Sequence, residues 1–222
     1  MKKAKINLKF KGKLSQEDKN FYKNSLNSTI KKLNKLFVNH PEIINLSIFD
    51  NRSDFLNAIN KPKAPNWLIA YIPQNSKSNI YIAHNKKSLG RKELKQIITH
   101  ELTHLYTNLL NAKLPDWIKE GLSVYVAKQI YYPKISINDW KKINKNHEPF
   151  KKISWKMAVK YNGYHTAGLL IMFLVNQYGW KKFIKSLTTH KCNVSIFKTI
   201  INKSSKKDSK MLIEDFEDNF VK

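Results

Sequence analysis

The feature that most constrains this chain is the pentapeptide His100-Glu101-Leu102-Thr103-His104, which has the pattern H-E-x-x-H. Two residues four apart on an α-helix lie one above the other on the same face. His100 and His104 can therefore direct two imidazoles at a single ion. Glu101, about 100° further round the helix, can reach a water on that ion. The pentapeptide thus predicts a helix that carries two metal ligands and a base.

The flanking residues predict the same helix. Apolar residues recur at helical spacing on both sides of the pentapeptide, and the two histidines lie beside the resulting stripe. The stripe consists of Leu94, Ile97, Ile98, Leu102, Leu105, Leu109 and Leu110. A helix whose partly buried histidines bond to carbonyl groups would show the same pattern, so the pentapeptide alone does not establish a metal site.

The next segment, Pro115 to Tyr125, favours the metal interpretation. Its sequence is PDWIKEGLSVY, and Pro115 suits the first turn of a second helix that folds back after a short break. Glu120 then falls in mid-helix among apolar residues, where an acidic side chain requires a charged partner. A cation shared with His100 and His104 would be such a partner. Two His and one Glu with an open fourth position form a catalytic zinc set.

The two segments together, HELTHL followed by P-x-W-I-x-E-G-L-x-x-Y, resemble the gluzincin zinc metallopeptidases. The likeness is to the small peptidase MA-like proteins, which are related to the aminopeptidase and thermolysin types, and it covers about residues 44–190. The resemblance implies that His100, His104 and Glu120 hold Zn²⁺ and that Glu101 is the general base. It also implies that the substrate is a peptide or a protein.

Two details depart from the pattern of that family. Thermolysin-type enzymes carry an Asp four residues after the ligand Glu, as a partner of a ligand His, and this chain has Val124 there. The spacing from His104 to Glu120 is also shorter than in those larger enzymes. Some other group must therefore fix the tautomer of the ligand histidines.

The resemblance also implies a substrate-binding strand. A strand is expected from Asn79 to His84, directly before the helix that carries the pentapeptide. In gluzincins the strand in that position is the edge of the sheet, and its backbone pairs with an extended substrate. The residues implied here are Ile80, Tyr81 and Ile82, with an ordinary core strand as the alternative.

The fourth expected component is a hydrogen-bond donor for the oxyanion. Attack of water on a peptide bond places negative charge on the carbonyl oxygen, which requires a donor. In the family, a Tyr at the start of an apolar helix and three residues before a small residue has this role. Tyr164, ahead of Ala167, matches that position. Tyr161 and His165 are rival donors, and Tyr164 can equally be a packed aromatic.

The hydrophobic pattern predicts an α+β protein with a small mixed sheet and a helical C-terminal half. The resemblance implies that the fold is zincin-like, with the active-site helix packed on the helical half. We expect a single domain, 1–222, made of a strand-containing lobe at 1–112, which ends in the H-E-x-x-H helix, and a helical lobe at 113–222. The predicted strands are 4–10, 43–49, 67–73 and 79–84. The predicted helices are 15–38, 53–59, 94–110, 115–128, 154–160, 164–178, 180–188, 193–202 and 209–220. The segment 131–150 is expected to be an irregular surface excursion.

The formal net charge of +25 does not by itself predict a nucleic-acid partner. Of the 41 basic residues only Arg52 and Arg91 are arginines, whereas base and phosphate recognition favours the arginine fork. The lysines are spread along the whole chain, and their excess together with that of Asn and Ile is what an A+T-rich genome produces. We therefore expect no specific nucleic-acid partner.

Two other functional classes remain open. One is a basic protein that binds nucleic acid or a membrane surface and carries a vestigial H-E-x-x-H. The other is a zinc hydrolase of a non-peptide amide, which would share the metal and the base.

The remaining features concern compartment. The single cysteine, Cys192, excludes an internal disulfide. The N-terminal residues contain no apolar h-region, and the longest apolar run, 167–175, is too short to span a bilayer. These features predict a cytoplasmic protein without a transmembrane segment, and they give no oligomeric state.

Overall fold

The computed structural model describes residues 4–73, 76, 78–84, 89–189, 199 and 209–222. It combines helices with a small mixed sheet, which confirms the α+β class. The chain divides into two compact units, Met1–Leu109 and Leu110–Lys222. The predicted helix at 193–202 lies outside the described residues, apart from position 199, and so does Cys192.

The first unit is built around a four-stranded sheet with the strand order β1-β2-β4-β3. Strands β1, β2 and β4 are parallel, and β3 is antiparallel to β4. The elements of this part of the chain are β1 (Lys5–Lys11), α1 (Gln16–Leu36), β2 (Ile43–Phe49), α2 (Arg52–Ala58), β3 (Ala70–Tyr71), β4 (Asn79–Ala83) and α3 (Arg91–Leu110). A crossover segment thus joins β1 to β2 and another joins β2 to β4, as parallel pairing requires.

A row of asparagines fixes the register of the parallel strands. Asn7 lies opposite Asn45, which in turn lies opposite Asn79. The Asn7 amide donates to Asn45 Oδ1 at 2.8 Å, and the Asn45 amide donates to Asn79 Oδ1 at 2.8 Å. A slip of one residue would break both bonds and turn the buried side chains of β2 to the opposite face.

Helix α3 is held against α1 by polar contacts within an apolar interface. The Tyr106 hydroxyl donates to Asn34 Oδ1 at 2.6 Å, and burial raises the pKa of Tyr106 to about 12. The hydroxyls of Thr29 and Thr99 lie 3.1 Å apart in the same interface. Buried hydroxyls that bond to each other cost little, and their geometry fixes how α3 is rotated.

The predicted strand at 67–73 is reduced to the two residues of β3. The Arg52 guanidinium donates to the carbonyl of Leu68 at 2.8 Å and to that of Pro65 at 2.6 Å. These bonds hold the preceding chain as a loop, so only Ala70 and Tyr71 pair with β4. The helix predicted at 53–59 begins one residue earlier, at Arg52, because the Asn51 side chain accepts the Asp54 N–H at the start of α2.

The described residues of the second unit are helical apart from one short hairpin and an isolated bridge between Ile135 and Val221. Its elements are α4 (Asp116–Ala127), α5 (Ile137–Ile143), β5 (Asn144–Lys145), β6 (Glu148–Pro149), α6 (Trp155–Val159), α7 (Gly163–Tyr178), α8 (Trp180–Thr188) and α9 (Ser209–Phe220). Helix α7 is the core of the unit, because Leu169, Leu170 and Leu174 are fully buried. Among the described residues no helix has the length and the apolar content needed to cross a bilayer.

The segment 131–150 is ordered, so the prediction of an irregular excursion is wrong. Ser136 caps α5 by accepting the Asp139 N–H at 3.1 Å, and buried Trp140 donates its indole N–H to Glu217 at 2.6 Å. The hairpin that follows turns at two residues with positive φ, Asn146 and His147, both at 55°. Lys and Asn residues interrupt the apolar pattern here, so the pattern did not predict α5.

The residue that leaves this hairpin, Phe150, has a left-handed backbone with φ at 63°. An L-residue in that region costs about 1–2 kcal/mol, and an aromatic residue is rare there. The Phe150 N–H donates to the Ile143 carbonyl at 3.1 Å, and the side chain is 7% exposed. Packing and hydrogen bonding therefore hold a backbone conformation that the residue itself disfavours.

Helices α4 and α7 cross at glycines. A Cβ on Gly121 would lie 2.7 Å from the carbonyl oxygen of Ala167 and 2.8 Å from Ile171 Cγ1. A Cβ on Gly168 would lie 2.5 Å from Val124 Cγ1. Only glycine allows the two backbones to approach this closely. The crossing therefore fixes where α4 lies on α7.

We expect Gly121→Ala to destabilise the protein by about 1–3 kcal/mol, because the new methyl group meets a backbone carbonyl that cannot move aside. The better helix propensity of Ala offsets only part of this loss. Urea unfolding measures the effect. Gly90→Ala is the control, because a Cβ there meets the end of the flexible Glu93 side chain at 2.6 Å and should cost little. Equal midpoints for the two variants would contradict the tight crossing.

Candidate metal centre

Helix α3 presents His100 and His104 one turn apart, as predicted. Their ring centroids are 4.9 Å apart and the ring planes are inclined by 73°. Both residues are partly buried. Most of the predicted apolar stripe is buried, including Leu102 and Leu105, while Leu109 at its end is 39% exposed. The stripe anchors the helix in the interior, so the histidine pair is held on a rigid element.

A short turn, 111–114, joins α3 to α4. The Asn111 side chain stabilises it, since Oδ1 accepts the Lys113 N–H at 3.0 Å and the amide donates to the Leu187 carbonyl at 3.1 Å. Pro115 immediately precedes α4, and its missing N–H is not needed at a helix start. Glu120 follows one turn into α4 and is partly buried.

Glu120, His100 and His104 form the candidate metal centre. Each side chain offers one ligand atom, and the three atoms all lie within 4.8 Å of one another. No other group of three or more His, Cys, Asp or Glu side chains with this arrangement occurs in the described part of the chain. These three side chains could therefore hold one metal ion.

The donor set suits a transition-metal ion rather than calcium or magnesium. Ligand atoms that bind one tetrahedral zinc at about 2.0–2.2 Å lie roughly 3.3 Å apart, so small rotations of the three side chains would close the site. Two imidazole nitrogens and one carboxylate oxygen suit zinc, whereas calcium and magnesium prefer oxygen ligands throughout. Three protein ligands leave a fourth position for water or substrate.

Glu101 is not one of the three grouped side chains. It lies next to His100 on α3 and is partly buried. It lies about 100° round the helix from His100. Asp116, the other acidic residue near Glu120, is exposed in the first turn of α4.

Val124, four residues after Glu120, lies in surroundings that would not suit an acidic residue. The side chain is 4% exposed and packs where Gly168 leaves room on α7. A carboxylate in that apolar contact would be desolvated without a partner. Position 124 therefore belongs to the helix crossing.

Tyr164 lies at the second residue of α7 and is 39% exposed. Its ring meets the ring of Trp155 edge-on, with centroids 5.1 Å apart. One turn further along α7, the backbone of Ala167 meets Gly121, the residue after Glu120. Ala167, the small residue three positions after Tyr164, is thus a contact point of α7 with α4. Tyr164 and Glu120 accordingly lie within about one turn of the same crossing.

The rival donor His165 is committed elsewhere. The imidazole of His165 makes a hydrogen bond to the backbone of Lys134, and its Nε2 is buried without a hydrogen-bond partner. Burial lowers the pKa of His165, and the bond to Lys134 offsets only part of this shift. A neutral ring whose Nε2 is buried is a poor donor to a substrate. The third candidate, Tyr161, precedes α7 and is partly buried.

The predicted edge position of Ile80, Tyr81 and Ile82 is wrong. Strand β4 lies inside the sheet, with β2 on one side and β3 on the other. Ile80 and Ile82 are each 1% exposed, so their side chains are core. Tyr71 pairs with Tyr81 and covers the backbone that was expected to bind substrate. The edges of the sheet are instead formed by β1 and by the two residues of β3.

Sequence reasoning also missed the residues that support the site. Gly121 and Gly168 set the helix crossing, and Phe150 packs flat against Trp117 of α4 with ring centroids 5.2 Å apart. The Glu-Gly dipeptide was a signal for the first of these, since glycine in a helix interior is costly without a close contact. Nothing local in the sequence pairs Phe150 with Trp117.

Neither protein-family models, curated proteins nor solved structures gave a match to this chain.

We expect one zinc ion per chain in the purified protein, measured by elemental analysis after dialysis. Changing His100, His104 or Glu120 to Ala should abolish binding, because each would supply one of three protein ligands. Asp116→Ala, on the same helix as Glu120, is the control and should keep the metal. Full occupancy in Glu120→Ala together with loss in Asp116→Ala would move the third ligand to Asp116.

Proposed function

We propose that this protein is a zinc-dependent metallopeptidase with a zincin-like fold of the gluzincin type. The observation that carries the proposal is the approach of the His100, His104 and Glu120 ligand atoms to within 4.8 Å of one another. The ligands come from an H-E-x-x-H helix and from the helix that follows it. The mixed sheet that precedes this helix pair supports the same assignment.

The reaction proposed is hydrolysis of a peptide bond. A zinc ion held by the three ligands would supply Lewis acidity to a water molecule and to the scissile carbonyl group. Glu101 accepts the proton from the attacking water and then delivers it to the departing amine nitrogen. The water oxygen forms the new bond to the carbonyl carbon, and the C–N bond breaks. The products are a carboxylate and an amine.

Tyr164 is proposed as the oxyanion donor. Its hydroxyl would donate a hydrogen bond to the carbonyl oxygen as negative charge develops there. Exposure of 39% leaves the ring accessible to a substrate, and its edge contact with Trp155 restricts its orientation. The helix crossing one turn away supports a position near Glu120.

The net charge of +25 favours one second candidate, a basic protein that binds nucleic acid or a membrane surface. That candidate needs no metal and predicts salt-sensitive binding to polyanions. The grouping of three ligand side chains weighs against it. A zinc hydrolase of a non-peptide amide would use the same residues, and it would differ only in leaving every polypeptide uncut.

Glu101→Gln should keep zinc and lose most turnover, by about 10²–10⁴, because Gln has nearly the same shape but cannot accept a proton.

Tyr164→Phe should lower kcat by about 10²–10³ with little change in KM, because it removes only the oxyanion donor. Cleavage of a peptide library provides the assay, and metal content is measured in parallel. Tyr161→Phe serves as the control. Full activity in Glu101→Gln would sink the peptidase proposal, whereas full activity in Tyr164→Phe would only reassign the donor.

A further inference from the structure

Four aromatic side chains form a continuous row in the second unit. Trp117 stacks on Phe150 with centroids 5.2 Å apart and planes inclined by only 11°. Phe150 in turn meets Trp155 at 5.9 Å, and Trp155 meets Tyr164 at 5.1 Å. This aromatic row, as we call it, joins α4 to the first turn of α7 by way of the hairpin and α6.

The row begins beside the candidate metal ligand on α4. Trp117 and Glu120 are three residues apart, so they are neighbours on one face of the helix. Trp117 is only 6% exposed. The flat stack on Phe150 therefore fixes how α4 is rotated about its axis at the turn that carries Glu120.

Phe150 is the strained member of the row. Its φ of 63° would be adopted more easily by Asn or Gly. The contacts of its ring with Trp117 and Trp155 must therefore offset the backbone preference. Strained residues that the surroundings hold in place cluster at active sites and at sites that clamp a ligand.

We propose that Phe150 is a positioning residue for the metal centre, which acts through Trp117 to hold Glu120 in place for the ion. The proposal rests on the proposed function only in taking Glu120 as a ligand. Phe150 itself binds neither metal nor substrate. A metal site needs ligands that are already oriented, and groups that orient them affect affinity strongly.

The experiment uses Phe150→Asn in the full chain, with zinc as the probe. Asn accepts the left-handed backbone readily, so the variant removes the ring while keeping the turn. We expect zinc to bind about 10–100-fold more weakly, measured by competition with a chromophoric chelator. Phe150→Tyr, which keeps the ring, should bind as the parent does.

The matched control is Phe220→Asn. Phe220 stacks on Phe216 at 5.1 Å with planes inclined by 24°, so this change also removes one stacked ring from the second unit. It should lower the unfolding midpoint without weakening zinc binding. If Phe150→Asn does not fold, Phe150→Leu and Phe220→Leu replace the pair, because Leu keeps the apolar volume without the stack.

A double-mutant cycle separates positioning from general destabilisation. In a Glu120→Gln background, Phe150→Asn should change the residual zinc affinity little, because Phe150 acts through Glu120. Parental affinity in Phe150→Asn, equal weakening in Phe220→Asn, or full additivity with Glu120→Gln would each overturn the inference. A parent protein that binds no zinc would overturn the proposed function itself, which is a different result.

Discussion

The candidate metal centre depends on the close crossing of α4 and α7. Gly121 and Gly168 have no side chains, so the backbone of α7 at Ala167 comes within contact distance of α4, and Val124 fills the space at Gly168. A crossing with so little room allows essentially one axial position. Glu120 precedes Gly121 directly, and its place on the helix surface follows from that position. Because Tyr164 lies about one turn from Ala167 on α7, the same crossing also places Tyr164 near this part of α4.

Partial burial of the three candidate ligands favours a bound cation at this site. Glu120 and the two histidines are partly buried, and a carboxylate removed from water is costly unless a cation compensates it. The exposed lysines, whose charges are screened over about 10 Å, define no such site. The arrangement of ligands therefore carries more functional information than the net charge of +25.

Local patterns gave the site helix and much of the fold. The bounds of β2, Ile43–Phe49, agree with prediction, and the long apolar α7 begins within one residue of its predicted start. Two of the three ligands lie one helical turn apart, and the third lies on the next helix after a short turn. Such a grouping needs almost no knowledge of tertiary structure, which is why the residues alone suggested it.

What could not be predicted is non-local. The order of the strands places β3 at the edge and β4 inside, and this depends on pairings that no single segment encodes. The stack of Phe150 on Trp117 joins residues that no sequence spacing connects.

The central claim, a zinc ion held by His100, His104 and Glu120, is tested most directly by X-ray absorption at the zinc edge of the metal-loaded protein. The account predicts only nitrogen and oxygen neighbours at about 2.0–2.2 Å, with the scattering signature of two imidazoles. A sulfur neighbour at about 2.3 Å, or fewer than two imidazoles, would contradict it.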